Sequence, residues 1–343
     1  MSDMTGAVAI APAMERRFLP AVPESGFVLG NHEHLSESLR RITVEQAEAA
    51  ARGLVSGQID SAIHEARKAM KRLRAVLRLI RSEIGDDAYR WENAVLRDAS
   101  RSTAPIRDGV VMVATIDRIR ERYEGQIADE SFSDLRAALQ GRSDRLRRRV
   151  LDDEEIVPGV IRTLRSARVR YSSWPVESDD PMVLYGRSPI PHAFESLAPG
   201  LGRTYGRGQK EMRQAVANPT AANFHLWRKR AKYLRHQAEI LRPLWPDAVG
   251  GLAQSLEQLG EWLGDDHDLA VLLRLISDIP ELCPDMRERS FIAALAQHRR
   301  AELQMASISL GSRIYAERPN QFIARFGAYW KAWDAPIPLG YRY

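Results

Sequence analysis

The chain has little cysteine and no long apolar run, and these two shortages exclude several classes of protein. Cys283 is the single cysteine among 343 residues, which excludes a disulfide framework and any site built from several thiolates. The longest apolar stretch, residues 109–116, ends at Asp117, well short of the roughly 20 residues that a membrane-spanning helix needs. We therefore expect a cytoplasmic protein with no membrane partner.

Secretion signals and catalytic motifs are missing as well. Asp3 precedes the mildly apolar stretch 7–13, at a place where a secretion signal would carry Lys or Arg. Residues 1–31 are therefore predicted to form a disordered tail. The sequence contains no glycine-rich phosphate loop, no Ser/His/Asp order and no nucleophile elbow. We expect a protein that is not an enzyme and needs neither cofactor nor metal, although weak hydrolytic activity stays open.

The hydrophobic pattern is helical nearly throughout. Apolar residues recur every three or four positions without a sustained period of two, which predicts an all-α fold. Residues 172–200 are rich in Pro, Ser and Gly and are predicted to connect two helical halves, residues 32–171 and 201–315. Residues 316–343 form an aromatic-rich C-terminal extension. The predicted helices are 33–54, 58–83, 87–101, 106–123, 132–151, 156–170, 201–217, 220–241, 247–263, 269–279, 286–315 and 319–333.

One segment occurs twice, once in each predicted half. Residues 64–74, HEARKAMKRLR, align with residues 225–235, HLWRKRAKYLR, and share the histidine, the leucine and four cationic positions. Farther along, Arg107-Asp108 aligns with His267-Asp268 in nearly the same register. This pattern predicts an internal duplication, with two related helical bundles packed about a pseudo-two-fold axis. The repeated helices would then face each other.

Both copies of the repeated helix carry a basic face that is almost free of acidic residues. At about 100° per residue, five of the six cations of residues 64–78 fall within about 120° of arc, opposite Ala66, Met70 and Leu73. Residues 64–81 have a net charge of +6 and residues 225–242 a net charge of +5, although the whole chain has only +5. Solvent-exposed helix faces usually mix the two signs, because like charges four residues apart destabilise a helix.

Two facing basic helices predict a groove or pore for a linear polyanion. Phosphate groups are the natural choice, because guanidinium groups bind them in a bidentate manner and ammonium groups neutralise them. In the second half, the basic run of Arg203, Arg207 and Lys210 is predicted to extend this surface.

At these residues the sequence resembles the conserved histidine α-helical domain family, abbreviated CHAD. The similarity rests on a helix that opens His-x-x-Arg-(Lys/Arg)-x-x-(Lys/Arg)-x-Leu-Arg, present twice and each time followed by an Asp-containing turn. The second turn lies in residues 259–272, LGEWLGDDHDLAVL, with His267 at a position where Asn is common. Residues 199–208, PGLGRTYGRG, also resemble the family, and the similarity covers about residues 35–314.

The resemblance implies two pseudo-symmetric helical bundles that bind inorganic polyphosphate, often at polyphosphate granules. Two features depart from the family: Glu239 replaces the counterpart of Arg78, and the first turn lacks the Leu-Gly of the second. The Glu-x-Glu-x-Lys signature of a fused triphosphate-tunnel domain is missing, so we expect a stand-alone binding domain. Carried over by position, the polyphosphate-binding residues are His64, Arg67, Lys68, Lys71, Arg74, Arg78, His225, Arg228, Lys229, Lys232 and Arg235.

The histidines and aspartates leave alternatives open. His64 and His225 are predicted either to contact phosphate or to bond structurally to a neighbouring helix. Asp108 and Asp268 are predicted to pair with an arginine or to cap a helix N-terminus. The alternative functions are a phosphohydrolase that uses His64 or His225, with or without a metal, and nucleic-acid binding. The latter shares the basic charge but lacks a recognised DNA- or RNA-binding motif.

Overall fold

The computed structural model describes residues 26–31, 33–128, 131–153, 155–179 and 188–335. This part of the chain is helical and contains no strand, which confirms the predicted all-α fold. None of its helices is both long and apolar enough to cross a bilayer. The α-helices are α1 (Leu35–Ser56), α2 (Ile59–Leu79), α3 (Arg81–Ile84), α4 (Asp86–Ser102), α5 (Ala104–Arg122), α6 (Ser133–Leu151), α7 (Ile156–Ser172), α8 (Ala198–Ala217), α9 (Ala221–Ile240), α10 (Pro246–Asp278), α11 (Met286–Ile314) and α12 (Pro319–Asp334).

Helix α10 is continuous over 33 residues, and this corrects the prediction of two helices separated by a turn at residues 264–268. Gly and Asp are weak helix formers, and their concentration in that stretch suggested a break. Leu263, Asp266 and Leu269 are buried, so tertiary packing keeps the stretch helical. In the first half the corresponding region does break, because α4 ends at Ser102 and α5 begins at Ala104.

The buried apolar residues of the described chain form three clusters, two of which cross the boundary between the predicted halves. One cluster joins α1, α2, α4 and α7 around Leu73 and Tyr171. A second cluster centres on Trp227 of the second half and Phe322 of the C-terminal extension, and it also takes in Leu39 from the start of α1. The third cluster packs α5 and α6 against α10 and α11. The two halves therefore share their cores and do not form separate globular units.

Both ends of the described chain pack onto the second half. Within the predicted tail, Leu29 is buried and its backbone N–H donates to the carbonyl of Ile240 at 3.0 Å. The remainder of that prediction, residues 1–25, lies outside the described residues. Helix α12 forms most of the predicted C-terminal extension, and its Phe322 stacks on Tyr205 with ring centroids 4.0 Å apart. Residues 336–343 lie outside the described part.

The first turn of α8 rests directly on the last turn of α2. A Cβ atom added at Gly200 would overlap the carbonyl oxygens of Arg78 and Leu79. Only a glycine allows the two backbones to approach this closely. The contact joins the start of the second helical set to the end of the basic helix of the first.

We expect Gly200→Ala to lower the free energy of unfolding by about 1–3 kcal/mol, the usual cost of forcing an extra methyl group into a filled contact. The control is Gly251→Ala in α10, because no described residue outside that helix places an atom within 4 Å of the added Cβ. Alanine should stabilise that site by about 0.5–1 kcal/mol. Urea unfolding followed by circular dichroism measures both values, and equal stabilities would contradict the tight contact.

Candidate anion-binding groove

The two copies of the repeated basic helix, α2 and α9, pack directly against each other. The side-chain amide of Gln237 donates to the carbonyl of Ala75 at 3.4 Å. Nearby, the guanidinium of Arg78 lies 3.8 Å from the ring centroid of Tyr233. The facing arrangement that the channel requires is therefore present. The duplication itself stays a prediction, because contact between two helices does not establish a common origin.

Burial of the apolar faces directs the basic faces of these helices outward. Met70 and Leu73 of α2 are buried, as the helical pattern predicts, and so are Leu234 and Ala238 of α9. Burying such side chains stabilises the fold by roughly 1.5–3 kcal/mol for each large one. The cations on the opposite faces follow from that arrangement.

Helices α2, α4 and α9, together with Ala104 of α5, line a groove of about 270 Å³, the basic groove. None of its lining residues is acidic. Six of the residues predicted to bind phosphate line it, three from each repeated helix. The lining residues are Arg67, Lys71, Arg74, Arg97, Ser100, Arg101, Ala104, Arg228, Lys229, Lys232, Tyr233 and His236.

Lys71 and Lys232 lie in the basic groove close enough to repel each other. Among the described residues no acidic side chain forms an ion pair with either ammonium group. Desolvation by the surrounding protein, followed by repulsion from Arg67 and Arg228, lowers the pKa of Lys71 to about 8. Desolvation and repulsion from Arg228 and Lys71 lower the pKa of Lys232 to about 7, although the charge of Asp268 partly opposes this shift. Both lysines therefore lose part of their charge near neutral pH.

Arg228 adds an unsatisfied donor to this centre. Its Nε is buried and has no hydrogen-bond partner in the described part of the chain. Leaving a buried donor unpaired costs roughly 1–3 kcal/mol, and more for a charged group. Desolvation lowers the pKa of Arg228, and the charge of Asp268 partly opposes that shift.

Glycines in α10 allow the α9 cations to lie close to the neighbouring helix. A Cβ at Gly260 would stand 3.7 Å from Cγ of Lys232, and one at Gly264 would stand 3.5 Å from Nε of Arg228. In the first half no glycine occupies α4, and Arg67 instead donates to the backbone carbonyl of Ser100. The Leu-Gly feature of the second turn thus marks a surface against which the basic side chains rest.

Several predicted ligands have partners within the protein. Arg235 forms ion pairs with Glu239 at 3.0 Å and with Glu257 at 2.8 Å, so the far end of the α9 stripe is neutralised. Arg78 donates to the Asn93 side chain at 2.9 Å and stacks on Tyr233, outside the lining of the basic groove.

Other predicted ligands lie toward solvent. Lys68 forms an ion pair with Glu65 at 3.7 Å. His64 is exposed, and desolvation together with repulsion from Arg107 lowers its pKa. Arg203, Arg207 and Lys210 are exposed on α8 and do not line the basic groove.

The ring of His225 lies against that of His267, with centroids 4.1 Å apart and an angle of 32° between the ring planes. Desolvation and the cations Lys229 and Arg228 lower the pKa of His225 to about 4. Desolvation and the neighbouring His225 lower the pKa of His267 to about 3. Both rings are therefore neutral at physiological pH. The described residues contain no group of three or more His, Cys, Asp or Glu side chains that could hold a metal ion.

The capping alternative for Asp108 and Asp268 is wrong, because each residue lies inside a helix. Asp268 pairs with Arg118 at 3.5 Å, which agrees with the arginine-pairing alternative. Asp108 is exposed on α5 beside Arg67 and Arg107, and desolvation raises its pKa despite their attraction.

The sequence reasoning missed three arginines of the site. Arg97 and Arg101 line the basic groove from α4, and Arg107 lies close enough to Lys71 to lower its pKa. The spacing of four residues between Arg97 and Arg101 was a signal, because it places both on one face of a helix. No property of the local sequence indicated that this face would meet α2 and α9.

Comparison with known proteins gives two matches. The family model described as CHAD domain matches residues 40–277. The chain is also similar in structure to the crystal structure of the CHAD domain from the plant Ricinus communis, with a TM-score of 0.56 and 19% sequence identity. That match covers 82% of this chain and 94% of the other, and at this identity it establishes the fold alone. No curated protein matches. The family model spans more than half of the sequence, and the chain belongs to the CHAD domain family.

Proposed function

We propose that the basic groove binds inorganic polyphosphate and does not break it down. The proposal rests on one observation: Lys71, Lys232 and Arg228 converge with no carboxylate of the described residues paired to either lysine. Holding like charges together costs free energy in the empty protein, and a bound polyanion removes that cost. The resemblance to CHAD proteins independently implies the same ligand. Its proposed location is the cytoplasm, at polyphosphate granules.

The lining favours a phosphate chain over a nucleic acid. Proteins that bind single strands usually offer aromatic rings on which successive bases stack. Besides the buried His236, the basic groove has one such ring, Tyr233, and Arg78 already covers a face of it. The Lys and Arg side chains of the lining suit a ligand with a negative charge on every unit and no apolar part.

We expect the double substitution Lys71→Glu and Lys232→Glu to weaken polyphosphate binding at least 100-fold. Each lysine should contribute about 1.5–3 kcal/mol through a charged hydrogen bond. The control is Arg149→Glu with Arg165→Glu, which makes the same charge change at exposed positions of α6 and α7 outside the lining. Titration with fluorescently labelled polyphosphate measures affinity, and circular dichroism verifies that both variants are folded. Equal losses in the two variants would mean that net charge alone drives binding.

Phosphate release, followed in the same titration, separates binding from hydrolysis. The proposal expects saturable binding with no phosphate formed, and much weaker binding to DNA of matched charge. Release of phosphate that His64→Ala or His225→Ala abolishes would instead support the phosphohydrolase alternative. Comparable affinity for DNA would support nucleic-acid binding.

We expect affinity for polyphosphate to fall as the pH rises from 6 to 9. In the empty protein the pKa of Lys232 is about 7 and that of Lys71 about 8, so both lose their protons within this range. A bound anion favours the charged ammonium and raises both values, so binding near pH 8 takes up protons. Calorimetry in buffers of different ionisation enthalpy counts these protons.

The control for the pH dependence is the variant Lys71→Arg with Lys232→Arg. Guanidinium groups remain charged at pH 9, so binding by this variant should depend less on pH. Titration of the ligand's own terminal phosphates affects both proteins equally and cancels in the comparison. Identical pH profiles would contradict the assignment of the proton uptake to these lysines.

We expect Lys232→Met to stabilise the empty protein at pH 6 by about 0.5–2 kcal/mol, the usual gain from removing an unfavourable charge. The pKa of Lys232 is lower in the folded state than in the unfolded chain, so its full cost is present below pH 7 and disappears toward pH 10.5. Thermal unfolding at pH 6 and near pH 10 measures the difference. A variant that is less stable at pH 6 would contradict the repulsion.

A further inference from the structure

The helices that pack against α2 and α9 differ in the charged side chains that they place near the basic groove. On the side of α2, helix α4 contributes Arg97 and Arg101 to the lining. On the side of α9, helix α10 carries Glu257, Glu261, Asp265 and Asp268. At about 100° per residue these four carboxylates fall within about 80° of arc, so they form one acidic stripe. The surroundings of the groove are therefore asymmetric.

The acidic stripe of α10 neutralises cations on its side of the molecule. Glu257 forms an ion pair with Arg235 at 2.8 Å. Arg118 lies 3.7 Å from Asp265 and 3.5 Å from Asp268. The charge of Asp268 also acts on Arg228. A polyphosphate chain that left the groove across this helix would meet carboxylates and cations that are already paired.

Helix α4 offers the opposite surface. Arg97 donates from Nε and Nη2 to the two carboxylate oxygens of Asp98, at 2.8 and 3.0 Å. Arg101 lies 3.8 Å from the same carboxylate, and its side chain is 72% exposed. The Asp98 carboxylate is thus shared by two arginines. Hydrogen-bond donors of Arg101 therefore remain available for phosphate. The charge of Arg74 in the groove also acts on Asp98, so the cations continue from the groove onto α4.

We propose that Arg97 and Arg101 form an exit subsite, which binds the part of a long linear polyphosphate chain that extends beyond the central cations. This inference rests on the proposed function of the groove. The chain leaves the groove over α4 and not over α10. The ligand class is a linear polyphosphate too long for the central site. Its oxygens replace those of Asp98 at the Arg97 guanidinium and accept from the donors that Arg101 leaves available. Asp98 orients the two arginines while the subsite is empty.

The test uses one double variant, Arg97→Ala with Arg101→Ala. Its affinity for each of two ligands is compared with that of the wild-type protein. Tripolyphosphate fills the centre alone, and a polyphosphate of about one hundred units also reaches α4. Affinity for tripolyphosphate should change less than about twofold, whereas affinity for the long chain should fall about tenfold at low salt. The slope of log affinity against log salt should fall by about 1.4 for the long chain, at about 0.7 for each lost contact.

The matched control is Arg145→Ala with Arg149→Ala on α6. These residues have the same spacing of four, are exposed, and do not line the basic groove. Long-chain affinity should change less than about twofold in this variant. A loss equal to that of the α4 variant would overturn the subsite, because any two exposed arginines would then contribute equally to long-chain affinity.

Two further results would overturn the subsite and leave the proposed function intact. One is an equal loss of affinity for both ligands in the α4 variant, which would place Arg97 and Arg101 in the central site. The other is no loss for either ligand while Lys71→Glu with Lys232→Glu still prevents tripolyphosphate binding. Failure of the wild-type protein to bind either ligand would overturn the proposed function and the subsite together.

Discussion

The repulsion between Lys71, Lys232 and Arg228 is the constraint on which the rest of the site depends. These cations are held together by apolar packing on the opposite faces of α2 and α9, where Met70 and Leu234 are buried. Hydrophobic burial offsets the free-energy cost of this repulsion, since each large apolar side chain contributes roughly 1.5–3 kcal/mol to stability. Desolvation first, and this repulsion second, lower the pKa values of the two lysines. A site of this kind has its charges in place before the ligand arrives, so little ordering accompanies binding.

Neighbouring helices decide which of the repeated cations remain available. Arg67 and Lys71 correspond by position to Arg228 and Lys232, and all four line the basic groove. Arg235 is neutralised by Glu257 of α10, whereas its counterpart Arg74 donates to the neutral amide oxygen of Asn93. Two helices with closely similar sequences therefore present unequal surfaces. This difference is the reason for proposing that the polyphosphate chain leaves the groove over α4 and not over α10.

His225 and His267 do not contribute to the charge of the site near neutral pH. His225 and His267 lie 4.1 Å apart beside Arg228 and Lys232, so two imidazolium ions there would repel each other and the nearby cations. The pair stays neutral through the range in which the lysines titrate. The pH response near neutrality therefore belongs to the lysines, although histidine is the side chain that usually titrates there.

Local sequence determined the helices, the inward faces of α2 and α9, and the identity of most cations of the basic groove. The 3.6-residue period and the duplicated HxxRK segment are local features, and they correctly indicated that Met70 and Leu234 are buried. The continuity of α10, the ion pairs of Arg235 and the contribution of Arg97 and Arg101 depended on tertiary structure. Each of these depends on contacts between residues far apart in the chain, and a helical period reports which residues share a face but not which helix that face meets.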